Sequence, residues 1–135
     1  MTNEAIRSAI ASKIEASWST CSIVSRPNTQ FDPPKGNLAW MKYYIHGGNV
    51  FPGEIPGPSV QGVSLRVGTI MIEINVPLNS GTKVANAYAD RAESFLRYRN
   101  ISGVFTGEPY SNDLGESAGY YRIMTTVPFN AWVGG

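Results

Sequence analysis

The sequence holds one cysteine and one histidine in 135 residues. A lone thiol, Cys21, excludes an internal disulfide and any zinc site built on several cysteines. A lone imidazole, His46, leaves metal centres and Ser/His or Cys/His catalysis with a single candidate. Charge is scarce as well: 16% of residues are charged, against about 25% in an average soluble domain. Eleven basic and ten acidic residues give a net charge of +1, without the basic excess of a dedicated nucleic-acid binder. No apolar run is long enough to span a bilayer. The opening MTNEAIRSAIASKIEASW mixes charges throughout and lacks the apolar centre of an export signal. A soluble chain assembled in a reducing cytoplasm is the expectation. Phosphate loop, dinucleotide fingerprint and nucleophile elbow are all missing, since the glycines cluster with prolines in turns.

What is present is apolar and aromatic: 42% hydrophobic residues, with seven tyrosines and three tryptophans. On a weakly charged surface that composition favours protein contacts. At 135 residues the chain is expected to form one domain, 1–135. From Glu4 to about Trp18, Ile6, Ile10, Ile14 and Trp18 recur every fourth residue, with Arg7, Lys13 and Glu15 on the other side, which predicts an amphipathic helix capped by Thr2 or Asn3. SIVS (22–25) reads as a short strand. RPNTQFDPPKG (26–36) follows, a connection stiffened by three prolines.

LAWMKYYIH (38–46) predicts a strand covered on both faces, with Leu38, Trp40 and Tyr44 on one side and Ala39, Met41, Tyr43 and Ile45 on the other. GGNVFPGEIPGPS (47–59), with four glycines and three prolines, reads as a long loop. VGTIMIEINVP (67–77) alternates cleanly: Ile70, Ile72, Ile74 and Val76 face one way, Thr69, Met71, Glu73 and Asn75 the other. VQGVSLR (60–66) is expected to pair with it or with the 38–46 strand. After the turn LNSGT, Thr82 caps a second helix to about Tyr98, with Val84, Tyr88, Ala92, Phe95 and Leu96 as its buried stripe. ISGVFTG reads as a short strand and EPYSNDLGES (108–117) as an acidic surface loop. GYYRIMTTVPF is the last strand, setting Tyr121, Ile123, Thr125, Val127 and Phe129 against Tyr120, Arg122, Met124 and Thr126. The predicted class is α+β: a mainly antiparallel or mixed sheet with two helices on one face, in the order α-β-β-β-α-β-β.

No convincing catalytic constellation emerges. Cys21 lies between a helix end and an apolar strand, the setting of a buried inert thiol. His46, beside Gly47 and Gly48, reads as a surface histidine at a strand end. Glu108, Asp113 and Glu116 fit a solvated loop or an ionic contact with another subunit better than acid–base work. Trp40, Met41, Tyr43 and Tyr44 lack the basic surround of a base-stacking platform and read as core and interface. No catalytic residue, metal ligand or cofactor is expected.

Taken in order, RPNTQFDPPKGNLAWMKYYIHGG, LRVGTIMIEINVPLNSGTKVANAYADRAESFL, SGVFTGEPY and YYRIMTTVPF resemble the small phage tail terminator family of lambda type. The likeness covers nearly the whole chain. It rests on the order of the segments, because PN, PP and VP are common turn chemistry singly. The resemblance implies a virion structural protein, without enzymatic activity, forming a hexameric ring on the head-proximal end of a long tail. Such a ring stops tube polymerisation and offers a surface for head–tail joining. It also implies the tail tube protein and a head–tail connector or neck protein as partners, DNA passing through the lumen without sequence-specific binding, and no membrane. The 47–59 loop has no counterpart in the family pattern.

A closed ring needs two different complementary patches on each subunit, and a pre-stiffened arm loses less entropy on closure. Candidate interface residues are Phe31, Asp32, Pro33, Pro34 and Lys35 in the arm; Phe51, Pro52, Glu54 and Ile55 in the loop; and Arg66, Glu108, Tyr110, Asp113 and Glu116 as charged and aromatic contacts, with Lys42 a further cation. The arm covering the end of its own sheet is the plainer alternative. Two rival readings stand beside the terminator: a head-completion or connector ring of the same neck, and a small ligand-binding regulatory domain with a pocket beneath the 47–59 loop.

Overall fold

The computed structural model describes residues 2–18, 23–25, 39–52, 63–78, 82–117 and 119–134. The chain runs α1 (Asn3–Trp18), β1 (Ile23–Ser25), β2 (Trp40–Pro52), β3 (Val63–Pro77), α2 (Thr82–Leu96), β4 (Asn100–Ile101), β5 (Val104–Thr106), β6 (Tyr110–Ser117) and β7 (Tyr120–Gly134). The strands form one sheet in the order β1-β2-β3-β7-β5-β4, and β6 also pairs with β7. Only the β1–β2 pair is parallel. The expected α+β class, a mainly antiparallel sheet with two helices, holds.

Register explains the two-sidedness. Met41, Tyr43 and Ile45 stand opposite Ile74, Ile72 and Ile70, which stand opposite Ile123, Thr125 and Val127. Because side chains alternate along a strand, these residues, apolar except for Thr125, form one face, and nearly all of it is buried. The helices close over it. Ile6, Ile10, Ile14 and Trp18 are the buried stripe of α1, and Ala85, Ala89, Ala92 and Leu96 that of α2. Each fully buried isoleucine contributes about 1.5–3 kcal/mol relative to exposure. Small alanines let α2 approach closely, and its larger Tyr88 and Phe95 turn to α1, with ring centroids 5.6 and 5.9 Å from Trp18. Val84, placed in the stripe by sequence, is instead 41% exposed, because Ala85 faces the sheet.

Both helices end on bonds from elsewhere. The Thr2 hydroxyl accepts the Ala5 N–H at 3.0 Å, which makes Thr2 the N-cap of α1. Arg91 of α2 donates to the Ser17 carbonyl at 3.0 Å, placing a cation at the C-terminus of α1. α2 stops at Leu96 rather than Tyr98. Tyr98 takes the left-handed conformation (φ 47°), and the Thr106 hydroxyl donates to the Leu96 carbonyl while accepting the Arg99 N–H at 2.7 Å.

Four expectations need correction. The 47–59 segment does not begin as a loop: β2 continues to Pro52, with a bulge between Gly47 and Val50 that absorbs one extra residue. Residues 63–66 extend β3 itself rather than forming a separate strand. The acidic 108–117 stretch is a strand from Tyr110, paired with β7, with a bulge between Asp113 and Gly115. ISGVFTG folds into two strands, β4 and β5, around Ser102 and Gly103, both at positive φ. Gly68 is fixed by packing: a β-carbon there would collide with the His46 carbonyl oxygen and lie 2.6 Å from Cζ of Phe129. Cys21, the 26–36 arm and residues 53–59 of the expected loop lie outside the described residues.

Candidate assembly interface

The second face of the sheet carries Trp40, Lys42, Tyr44 and His46 from β2, with Val67, Thr69, Met71, Glu73 and Asn75 from β3. Tyr120, Arg122, Met124 and Thr126 of β7 continue it. Among the described residues no helix lies on this side. Its centre is polar: Arg122 donates to Glu73 at 3.3 Å, and Lys42 sits 5.1 Å from the centroid of the Tyr44 ring. The hydrogen bond to Tyr44 raises the Lys42 pKa above its usual value against an opposing effect of burial, and Glu73 adds to the rise. Around that centre the face is aromatic, with Trp40 edge-on to Tyr120 at 6.0 Å. Phe105, Tyr110 and Trp132 are 43%, 54% and 50% exposed, and their register with Asn130, Thr126 and Leu65 puts all three on this side.

The sequence-derived site residues scatter over the molecule. Phe31, Asp32, Pro33, Pro34, Lys35, Glu54 and Ile55 lie outside the described residues. Phe51 and Pro52 occupy the last positions of β2, opposite Leu65 and Ser64. Tyr110 lies on the open face. The three acids do not form one cluster: Glu108 pairs with Arg97 at 3.6 Å, and Asp113 accepts a hydrogen bond from the Tyr121 hydroxyl. Glu116 stands opposite Tyr121, so it is directed to the helix side of the sheet. Asp113, through its hydrogen bond, raises the Tyr121 pKa above that of an ordinary phenol, with desolvation adding to the rise. Beside them, the Ser111 hydroxyl bonds both Glu93 of α2 and Thr125, each at 2.8 Å.

Arg66 lies on the helix side as well, opposite Ala131, in a cavity of about 480 Å³ with Asn3, Ile6, Arg7, Ile45, Gly47 and Phe129. The exposed Phe105 and Trp132 were missed by sequence. Extending the alternation of the last strand past Phe129 finds Trp132, since Val127, Phe129 and Ala131 point inward. Phe105 offered no such signal in a strand of three residues. His46 is exposed and lies within β2 rather than at its end. Among the described residues there is no group of three or more His, Cys, Asp or Glu placed to hold a metal ion, and no helix is long and apolar enough to cross a membrane.

No family model and no curated protein matches the chain. Thirteen chains of solved structures do. One of them, whose description states no function, superposes with a TM-score of 0.68 at 14% identity, over 97% of this chain and 96% of its own. The shared property at that identity is the fold, over almost the full extent of both chains.

Proposed function

We propose that the chain is a structural subunit of a phage tail, a terminator of lambda type. In this reading it forms a hexameric ring on the head-proximal end of the tube and stops the addition of tube subunits. It then presents its outer side to a connector of the neck, while DNA passes through the lumen without sequence-specific contacts. The ordered series of segments from the 26–36 arm to the last strand supports it.

One structural observation carries the reading. The sheet face away from the helices exposes Phe105, Tyr110 and Trp132 to one side of a small charged centre, in a chain with few charges elsewhere to keep such a face apart from partners. Exposed aromatic side chains of this size mark contact surfaces. The purified chain added to polymerising tube subunits tests the function. Shortened tubes decorated at one end are the expected product. An unaltered length distribution, at chain concentrations above those of tube ends, rejects the terminator.

A further inference from the structure

We propose that the cavity between the first turn of α1 and the sheet receives the Glu116 carboxylate of a second copy of this chain, joining copies head to tail. The proposal rests on the ring reading and gives that ring its subunit contact. Among the described residues the cavity's charged lining is cationic: Arg7 from α1 and Arg66 from β3 meet there, with Asn3 at the helix start and Ile6, Ile45 and Phe129 as apolar walls. Nε of Arg66 is buried and has no hydrogen-bond partner. The Arg66 side chain as a whole is half-buried, and a carboxylate entering the cavity gains a charge-assisted bond to its guanidinium. The positive end of α1 adds to the attraction. Glu4, the acid of that first turn, is engaged by Ser8, whose hydroxyl donates to it at 3.2 Å.

The complementary patch lies at the other end of the same strands. Glu116 stands opposite Tyr121, and Tyr121 opposite Val76. It is exposed, and among the described residues it makes no ion pair, unlike Glu108 with Arg97 or Glu73 with Arg122. Leu114, two residues earlier, is an exposed apolar side chain suited to the cavity walls. From Arg66 to Val76 along β3 is ten positions, roughly 33 Å at the rise of a strand. One copy therefore cannot satisfy its own cavity. Two unlike, opposite patches at opposite ends of a subunit define a heterologous contact, which propagates into a ring or a filament.

Charge reversal tests the contact through its polarity. Arg66→Glu and Glu116→Arg are prepared separately, and their association is followed by sedimentation velocity at low salt, up to millimolar concentration, beside the wild type. The wild type is expected to self-associate, and less so as salt rises. Each variant alone presents like charges at every junction and is expected to associate at least tenfold more weakly. Mixed in equal amounts they restore association, because in alternating copies the reversed cavity receives the reversed side chain at position 116 and the unreversed cavity receives the unreversed Glu116. Arg66→Gln replaces Arg66→Glu if circular dichroism finds that variant unfolded, and is read by its own weaker association alone, since an uncharged side chain restores nothing in the mixture.

A wild type that stays monomeric, single variants that associate like it, or a mixture that fails to recover overturns the proposal. Failure of the terminator reading is separate: a chain that passes this test and leaves tube length unchanged loses the function and keeps the contact. A chain that shortens tubes while indifferent to both reversals keeps the function and loses the contact.

Discussion

At the scale of single residues, Thr106 ties the end of α2 to the sheet. Its hydroxyl donates to the Leu96 carbonyl and accepts the Arg99 N–H at 2.7 Å, and its own N–H donates to the Arg99 carbonyl at 2.9 Å. Thr106→Val preserves shape and removes the hydroxyl, leaving a carbonyl and an N–H unpaired beside a buried side chain. A loss of about 1–3 kcal/mol is expected, read as a lower urea midpoint with an unchanged slope. The Asp113–Tyr121 pair gives a pH signature. Because the folded chain holds the Tyr121 phenol proton more tightly than the unfolded chain does, the pair's contribution is fully present below the ordinary phenol pKa. It is lost as pH rises through the elevated folded value. Asp113→Ala is expected to move the last step of the tyrosinate ultraviolet titration to lower pH, and to narrow the stability gap from wild type in strong alkali. A titration curve identical to wild type is evidence against the bond.

At the scale of elements, legibility followed periodicity. α1 was readable because Ile6, Ile10, Ile14 and Trp18 mark every fourth position and all four are buried. β3 and β7 were readable because their alternation divides the sheet faces as the register does. β6 was not: YSNDLGES has no apolar alternation, since it pairs with β7 through its backbone while its side chains remain largely exposed. The second half of β2 was hidden by Gly47 and Gly48, which signal a loop but here accompany a bulge. The β4–β5 hairpin turns on Ser102 (φ 50°) and Gly103 (φ 95°), the left-handed pair of a two-residue turn that favours Asn-Gly. Asn100 accepts the Gly103 N–H at 3.0 Å and keeps that bond in a variant. Ser102→Asn is therefore expected to stabilise the chain by a few tenths of a kcal/mol, on the order of 0.5, measured by urea unfolding. Of the candidate site, sequence offered Arg66 and Glu116 only as opposite charges; their placement at opposite ends of the sheet needed the strand register.

At the scale of the whole molecule, the two sides of the sheet predict two contacts with different physics. The contact proposed between Arg66 and Glu116 lies on the helix side and is ionic, so salt weakens it. The opposite face offers Phe105 and Tyr110, whose burial against a partner is apolar and nearly indifferent to salt. Because both side chains are exposed in the isolated chain, Phe105→Ser with Tyr110→Ser is expected to change folding stability by less than about 1 kcal/mol. If this face docks onto the tail, each truncation removes about 1 kcal/mol or more of binding. The double variant then needs at least tenfold more protein to shorten tubes, on the order of the factor that 1.4 kcal/mol sets. Repeating the length assay across a salt series separates the surfaces. The Arg66→Glu defect is expected to shrink relative to wild type as salt rises, because the wild-type ion pair is screened too, whereas the Phe105/Tyr110 defect is expected to persist. A double variant that stops tubes as efficiently as wild type at every salt concentration removes the open face from the assembly.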